Sequence, residues 1–114
     1  MANRYRGEVS AVLDGRRHTL CLTLGALAEL EDAFGAEDLA ALAERFAPAR
    51  LKARDLVAVV GAGLRGAGHD VSDEAVARMR IDGGAAGFAD LAVRLLVATF
   101  GAAGSGEDAP RNPS

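Results

Sequence analysis

Tryptophan is missing from this chain, cysteine and tyrosine occur once each, and proline occurs three times. Each scarcity excludes something. With one thiol, Cys21, no internal disulfide can form, and no Cys or His pattern at metal-ligand spacing surrounds it. A disulfide scaffold and a zinc module are thereby excluded, and a buried, structural thiol is expected. No apolar run approaches the ~20 residues that span a bilayer. The N-terminal Met-Ala-Asn-Arg-Tyr-Arg has no apolar core of a secretory signal, so a cytoplasmic location is expected. Aromatic residues amount to 4%, which leaves the core to Leu, Val and Ala with the phenylalanines as bulky fillers. Ala-rich helices approach one another closely but bury little area, at roughly 25 cal/mol per Å². Modest stability, raised by self-association, follows.

What is present suits a single domain. A chain of 114 residues can bury one core and not two. Its formal net charge of −3 argues against a nucleic-acid binder, which needs a concentrated basic surface. The charge is unevenly spread. Arg4, Arg6, Arg16 and Arg17 stand against Glu8 and Asp14 near the N-terminus, whereas Glu29, Glu31, Asp32, Glu37, Asp38 and Glu44 follow with only Arg45 to offset them. The molecule is expected to be electrically two-ended, with two solvated faces or a head-to-tail contact as the consequence.

Along the chain, residues 5–13 alternate in polarity with the period of a half-buried strand, Asp14-Gly15 supplies a turn that tolerates positive φ, and His18, Leu20 and Leu22 alternate against Arg17, Thr19 and Cys21. This is a β-hairpin. A hairpin alone is marginal in water and must rest on helices. Thr23 is the expected N-cap of the first, with Leu24, Leu27, Leu30 and Phe34 as its apolar stripe and Gly35 as its left-handed end. A second helix starts near Glu37 and Asp38, carries Leu39, Leu42 and Phe46, and is closed by Pro48. A third runs from Ala53 or Arg54 to about Arg65 and, as the most apolar of the set, belongs at the centre of the core. Its Gly61 and Gly63 each cost about 1 kcal/mol relative to Ala and call for close approach of another backbone. Ser72 caps a short helix to about Arg80, and a last helix from Ala85 or Ala86 to Phe100 carries an exposed Asp90–Arg94 pair. The expected fold is α+β and mostly helical, an N-terminal β-hairpin packed on a bundle of about four to five short helices. Residues 1–101 form one domain and residues 102–114 a disordered tail.

No chemistry emerges from the motifs. His18 and Cys21 fall on opposite faces of a strand, which separates a potential Cys–His pair, and His18 is expected at the rim beside a helix. His69 beside Asp70 reads as a polar turn. Gly61, Gly63 and Gly66 match the letters of a dinucleotide fingerprint, but they close a helix where the fingerprint must open one, and no Lys-Ser or Lys-Thr follows to make a phosphate loop. The Glu29/Asp32 and Glu37/Asp38 carboxylates are explained by solvation and helix-end charge without acid–base catalysis. Arg50, Lys52 and Arg54 have no aromatics beside them for base stacking. The chain is expected to be no enzyme, with no catalytic residue, cofactor or metal.

The run from Arg4 to Glu31, Arg-Tyr-Arg-Gly-Glu-Val-Ser-Ala-Val-Leu-Asp-Gly-Arg-Arg-His-Thr-Leu-Cys-Leu-Thr-Leu-Gly-Ala-Leu-Ala-Glu-Leu-Glu, resembles the gene transfer agent family of small tail proteins, related to the tail assembly chaperones of long-tailed phages. The resemblance continues through Phe34-Gly35, Leu39, Leu42, the segment Leu51 to Arg65 with its Gly-Ala-Gly-Leu-Arg, and Ser72-Asp73-Glu74, covering residues 4–101. It implies a component of a bacterial, prophage-derived particle that works in the cytoplasm during tail assembly. In such a role the protein binds the tape measure protein, shields its apolar helical surface and recruits tail tube subunits. The alternative is a structural tail tube component. Partners would be the tape measure and tail tube proteins and possible further copies of the chain, with neither nucleic acid nor membrane. The hairpin and first helix carry the resemblance and offer an unpaired strand edge, so Tyr5, Val9, Arg16, Arg17, Leu20, Leu27 and Leu30 are the expected contact residues.

Overall fold

The computed structural model describes residues 7–47 and 50–101. Strands β1 (Glu8–Leu13) and β2 (Arg16–Cys21) pair antiparallel in the register Val9 to Leu20, Ala11 to His18 and Leu13 to Arg16. Asp14 (φ 54) and Gly15 (φ 78) both adopt the left-handed conformation, as the twist of a two-residue hairpin turn requires. The turn is also anchored from outside. Asp14 donates its backbone N–H to the Arg80 carbonyl at 2.9 Å and accepts the Arg80 N–H on Oδ1 at 2.8 Å. Val9, Ala11, Leu13 and Leu20 alternate onto the buried face.

Among the described residues the hairpin is followed by five helices: α1 (Leu24–Phe34), α2 (Leu39–Arg45), α3 (Ala53–Gly66), α4 (Asp73–Ala77) and α5 (Gly84–Phe100). Their ends follow local chemistry. The Thr23, Asp38 and Ser72 side chains accept the N–H groups of Ala26, Ala41 and Ala75, satisfying donors a first helical turn otherwise leaves orphaned. Gly35 (φ 68) ends α1 by donating to the Glu31 carbonyl, the left-handed helix stop expected of glycine there. Helix α3 is the hub, packing on β2, α1, α4 and α5, with Val59, Val60, Ala62 and Leu64 at zero exposure. The expected central helix is thus found where the apolar pattern places it, and the architecture is α+β and mostly helical.

Several local expectations need correction. Leu24 is 79% exposed; it precedes the turn of α1 that meets the core, and Ala26 is buried in its place alongside Leu27 and Leu30. Leu39 is likewise exposed while Leu42 and Phe46 are buried. Helix α4 ends at Ala77, short of Arg80, because the chain from Met79 onward turns to meet Asp14. Helix α5 begins at Gly84, directly after Gly83 in a left-handed conformation (φ 89). Gly61 and Gly63 make room for side chains and not for a backbone: a Cβ at Gly61 would meet the Asp73 carboxylate, and one at Gly63 would meet Leu95 and Leu20. The close backbone approach occurs at Gly66, where a Cβ would collide with the Cys21 carbonyl. Cys21 itself is half-buried, not buried. Tyr5 and Arg6 of the expected first strand, Pro48 and the expected tail at 102–114 lie outside the described residues.

Candidate interaction surface

Three kinds of surface stand out, a basic hairpin end, an acidic face on α1 and α2, and apolar clefts beside α5. Val9, Leu20, Leu27 and Leu30, expected as contact residues, are between 0% and 7% exposed. Alternation in β1 and β2 and the inward face of α1 direct them into the core, where they hold the hairpin on the helices. Arg16 and Arg17 are exposed, and Tyr5 lies outside the described residues. The basic character of the hairpin end is reinforced by a residue sequence reasoning did not connect to it, since the hydrogen bonds of Asp14 bring exposed Arg80 to the same turn.

The acidic surface lies on α1 and α2. Asp32, Glu37, Asp38 and Glu44 are exposed, and Arg45 does not offset them. Its guanidinium instead forms a bidentate pair with Asp55, Nη1 to Oδ2 at 2.9 Å and Nη2 to Oδ1 at 3.0 Å, while lying 5.0 Å from the Phe34 ring centre and 5.9 Å from that of Phe46. Phe34 and Phe46 meet edge to face at 5.1 Å. Asp55 also accepts the Lys52 N–H at 2.9 Å, so its buried carboxylate is held by three hydrogen bonds at the junction of α1, α2 and α3. Arg65 plays the matching part for α1, α3 and α4. It donates to Glu29 at 2.8 Å, Asp73 at 3.0 Å and the Val71 carbonyl at 2.9 Å. Burial disfavours its charge, but the hydrogen bonds and charges of Glu29 and Asp73 outweigh that and hold its pKa above the ordinary value, so the knot stays ionised on the Arg side wherever the protein is folded.

The apolar surface flanks α5. Near its C-terminal end Ala43, Phe46 and Ala47 face Val93, Leu96, Val97 and Phe100 across a cleft. Near its N-terminal end Phe88 and Ala85 meet Leu56, Val57 and Val76 across a second. Val97 is 44% exposed in the first. The sequence signal for it is the apolar breadth of α5, where most residues outside the Leu91–Leu95 stripe are still Val, Ala, Leu or Phe. On the hairpin, Val12 is half exposed on the outer side of β1, and no third strand extends the two-stranded sheet among the described residues.

Exposed apolar clefts together with clusters of exposed acidic and basic residues are the equipment of protein–protein contact. No helix of the described residues is long and apolar enough to cross a membrane. A sequence profile of the family described as "Phage tail tube protein, GTA-gp10" matches residues 6–102. No curated protein and no solved structure matches the chain.

Proposed function

The chain belongs to the family of gene transfer agent tail proteins described as "Phage tail tube protein, GTA-gp10", and from that membership we propose that it is a non-enzymatic structural component of the tail tube that works by contact with other tail proteins. The observation that carries this reading is the extent of the family match, which runs from the first strand through the end of α5 and so takes in every strand and helix of the described residues. The surface supports it. A tube component must repeat one contact between non-identical faces of neighbouring copies, and the Arg16/Arg17/Arg80 end and the acidic α1–α2 face are of opposite sign. The apolar clefts on α5 add buried area to such a contact.

One observation favours a second reading, that of an assembly chaperone that binds the tape measure protein and recruits tube subunits. The cleft between α2 and α5 is open, apolar on both walls and shaped by two helices, which is a geometry that accepts side chains from a third helix. One experiment separates the two. Particles are purified from producing cells and the chain is quantified against the other tail proteins. A stoichiometric amount distributed along the tail supports the tube. Its absence from particles, combined with a higher soluble yield of the tape measure protein on co-expression, overturns the tube reading and establishes the chaperone.

A further inference from the structure

Two imidazoles that are remote in sequence meet where β2 passes the end of α3. His18 lies on β2 on the same side as buried Leu20. His69 stands just beyond α3, where Gly68 (φ 99) turns the chain and the His69 N–H donates to the Leu64 carbonyl at 2.9 Å. The ring centres are 5.1 Å apart with their planes at 64°, and both residues are half-buried. His18 Nδ1 is 2.9 Å from the Arg16 carbonyl oxygen. A carbonyl can only accept, so Nδ1 carries a proton and Nε2 of the neutral ring keeps its lone pair. A backbone carbonyl on one ring nitrogen, fixing the tautomer and leaving the other as donor, is the support that metal-bound histidines receive. No described residue hydrogen-bonds the His69 ring, whose outer torsion is soft.

We propose that His18 and His69 form a two-histidine site for a divalent late first-row transition ion such as Zn²⁺, Cu²⁺ or Ni²⁺. Imidazole nitrogens about 2.0–2.1 Å from a tetrahedral ion set two ring centres about 5 Å apart, which is the separation observed. Imidazole suits these ions, whereas Ca²⁺ and Mg²⁺ require oxygen ligands. No third His, Cys, Asp or Glu joins the pair among the described residues, so water completes the coordination and the site exchanges freely. A bound ion clips β2 to the connection between α3 and α4. Because it binds the native chain in preference to the unfolded one, it stabilises the fold.

The test uses the full chain without an affinity tag, titrated with ZnCl₂ and NiCl₂ by calorimetry and melted with and without the metal. One ion per chain is expected, with affinity lowered at least about tenfold in His18→Gln and in His69→Gln, and with a metal-dependent rise in Tm that neither variant shows. Absence of binding at millimolar metal, or unchanged affinity in both variants, overturns the proposal. A second measurement is independent of variant folding: with only two histidines in the sequence, substoichiometric Cu²⁺ should broaden both imidazole proton signals of the wild-type protein before others. Broadening that begins elsewhere also overturns it.

Discussion

Asp55 is the residue on which the junction of three helices depends. Its side chain has zero exposure and holds Arg45 and the start of α3 together. Removing one member of a buried pair leaves the other charge uncompensated, at a cost of about 3–5 kcal/mol. Asp55→Ala is expected to lower the unfolding free energy by about 3 kcal/mol, towards the lower end of that range because Arg45 retains some access to water. Arg45→Ala should cost a similar amount by stranding Asp55, and the double variant should cost less than the sum, since the two act as one unit. Urea denaturation of the three variants checks all of this. A sum that is additive would mean that Arg45 works through Phe34 and Phe46 and not through Asp55.

Two glycines give opposite expectations at the scale of the element. Gly66 closes α3 against β2, and a methyl group there meets the Cys21 carbonyl, a backbone atom that cannot step aside without moving the strand. Gly66→Ala should destabilise by about 3 kcal/mol, the upper end of overpacking costs. Gly25 lies in the exposed first turn of α1, where an added Cβ meets only Thr23 Oγ1 at 3.9 Å. Gly25→Ala should therefore stabilise by about 0.5 kcal/mol through helix propensity and a less flexible unfolded chain. Thr23→Ala, which deletes the side-chain acceptor for the Ala26 N–H at 3.1 Å, should cost about 1 kcal/mol. Thermal melts rank the three, and a destabilised Gly25→Ala would show that the first turn of α1 is strained in a way its geometry does not suggest.

For the whole molecule, the expectation is that assembly can be broken without unfolding the subunit. Val97 is half exposed at the α2–α5 cleft, so Val97→Asp should change monomer stability by no more than about 0.5 kcal/mol, as surface substitutions do. It should nonetheless reduce incorporation into particles or tape measure binding, whichever applies. Reversing the hairpin end with Arg16→Glu and Arg17→Glu should weaken association at low salt and have little effect at high salt, where exposed charges are screened. Circular dichroism establishes the fold of both variants, and particle yield with light scattering reads assembly. Normal assembly by both variants would place the working surface on other residues.

Period and punctuation were enough to read the local structure of this protein. Asp14-Gly15 demanded a hairpin turn, Thr23 and Ser72 offered caps, Gly35 ended a helix, and the Val- and Leu-rich third helix had to be central; these are seen in the fold. The same local pattern misjudged Leu24, which is exposed, and it did not show that Val9, Leu20, Leu27 and Leu30 are buried in the core, because alternation tells which residues share a face and not what that face meets. Resemblance of the chain to gene transfer agent tail proteins was also legible in sequence, and the family match bears it out. Only the tertiary structure decided that Arg45 is spent on Asp55 and not on the acids around it, that Arg65 ties three helices, that Gly66 is fixed by a strand carbonyl, that Arg80 joins the hairpin end, and that His18 meets His69. Each of these joins residues that chain order keeps apart. Their pairing depends on how α3 packs against everything else, and no short-range preference encodes that.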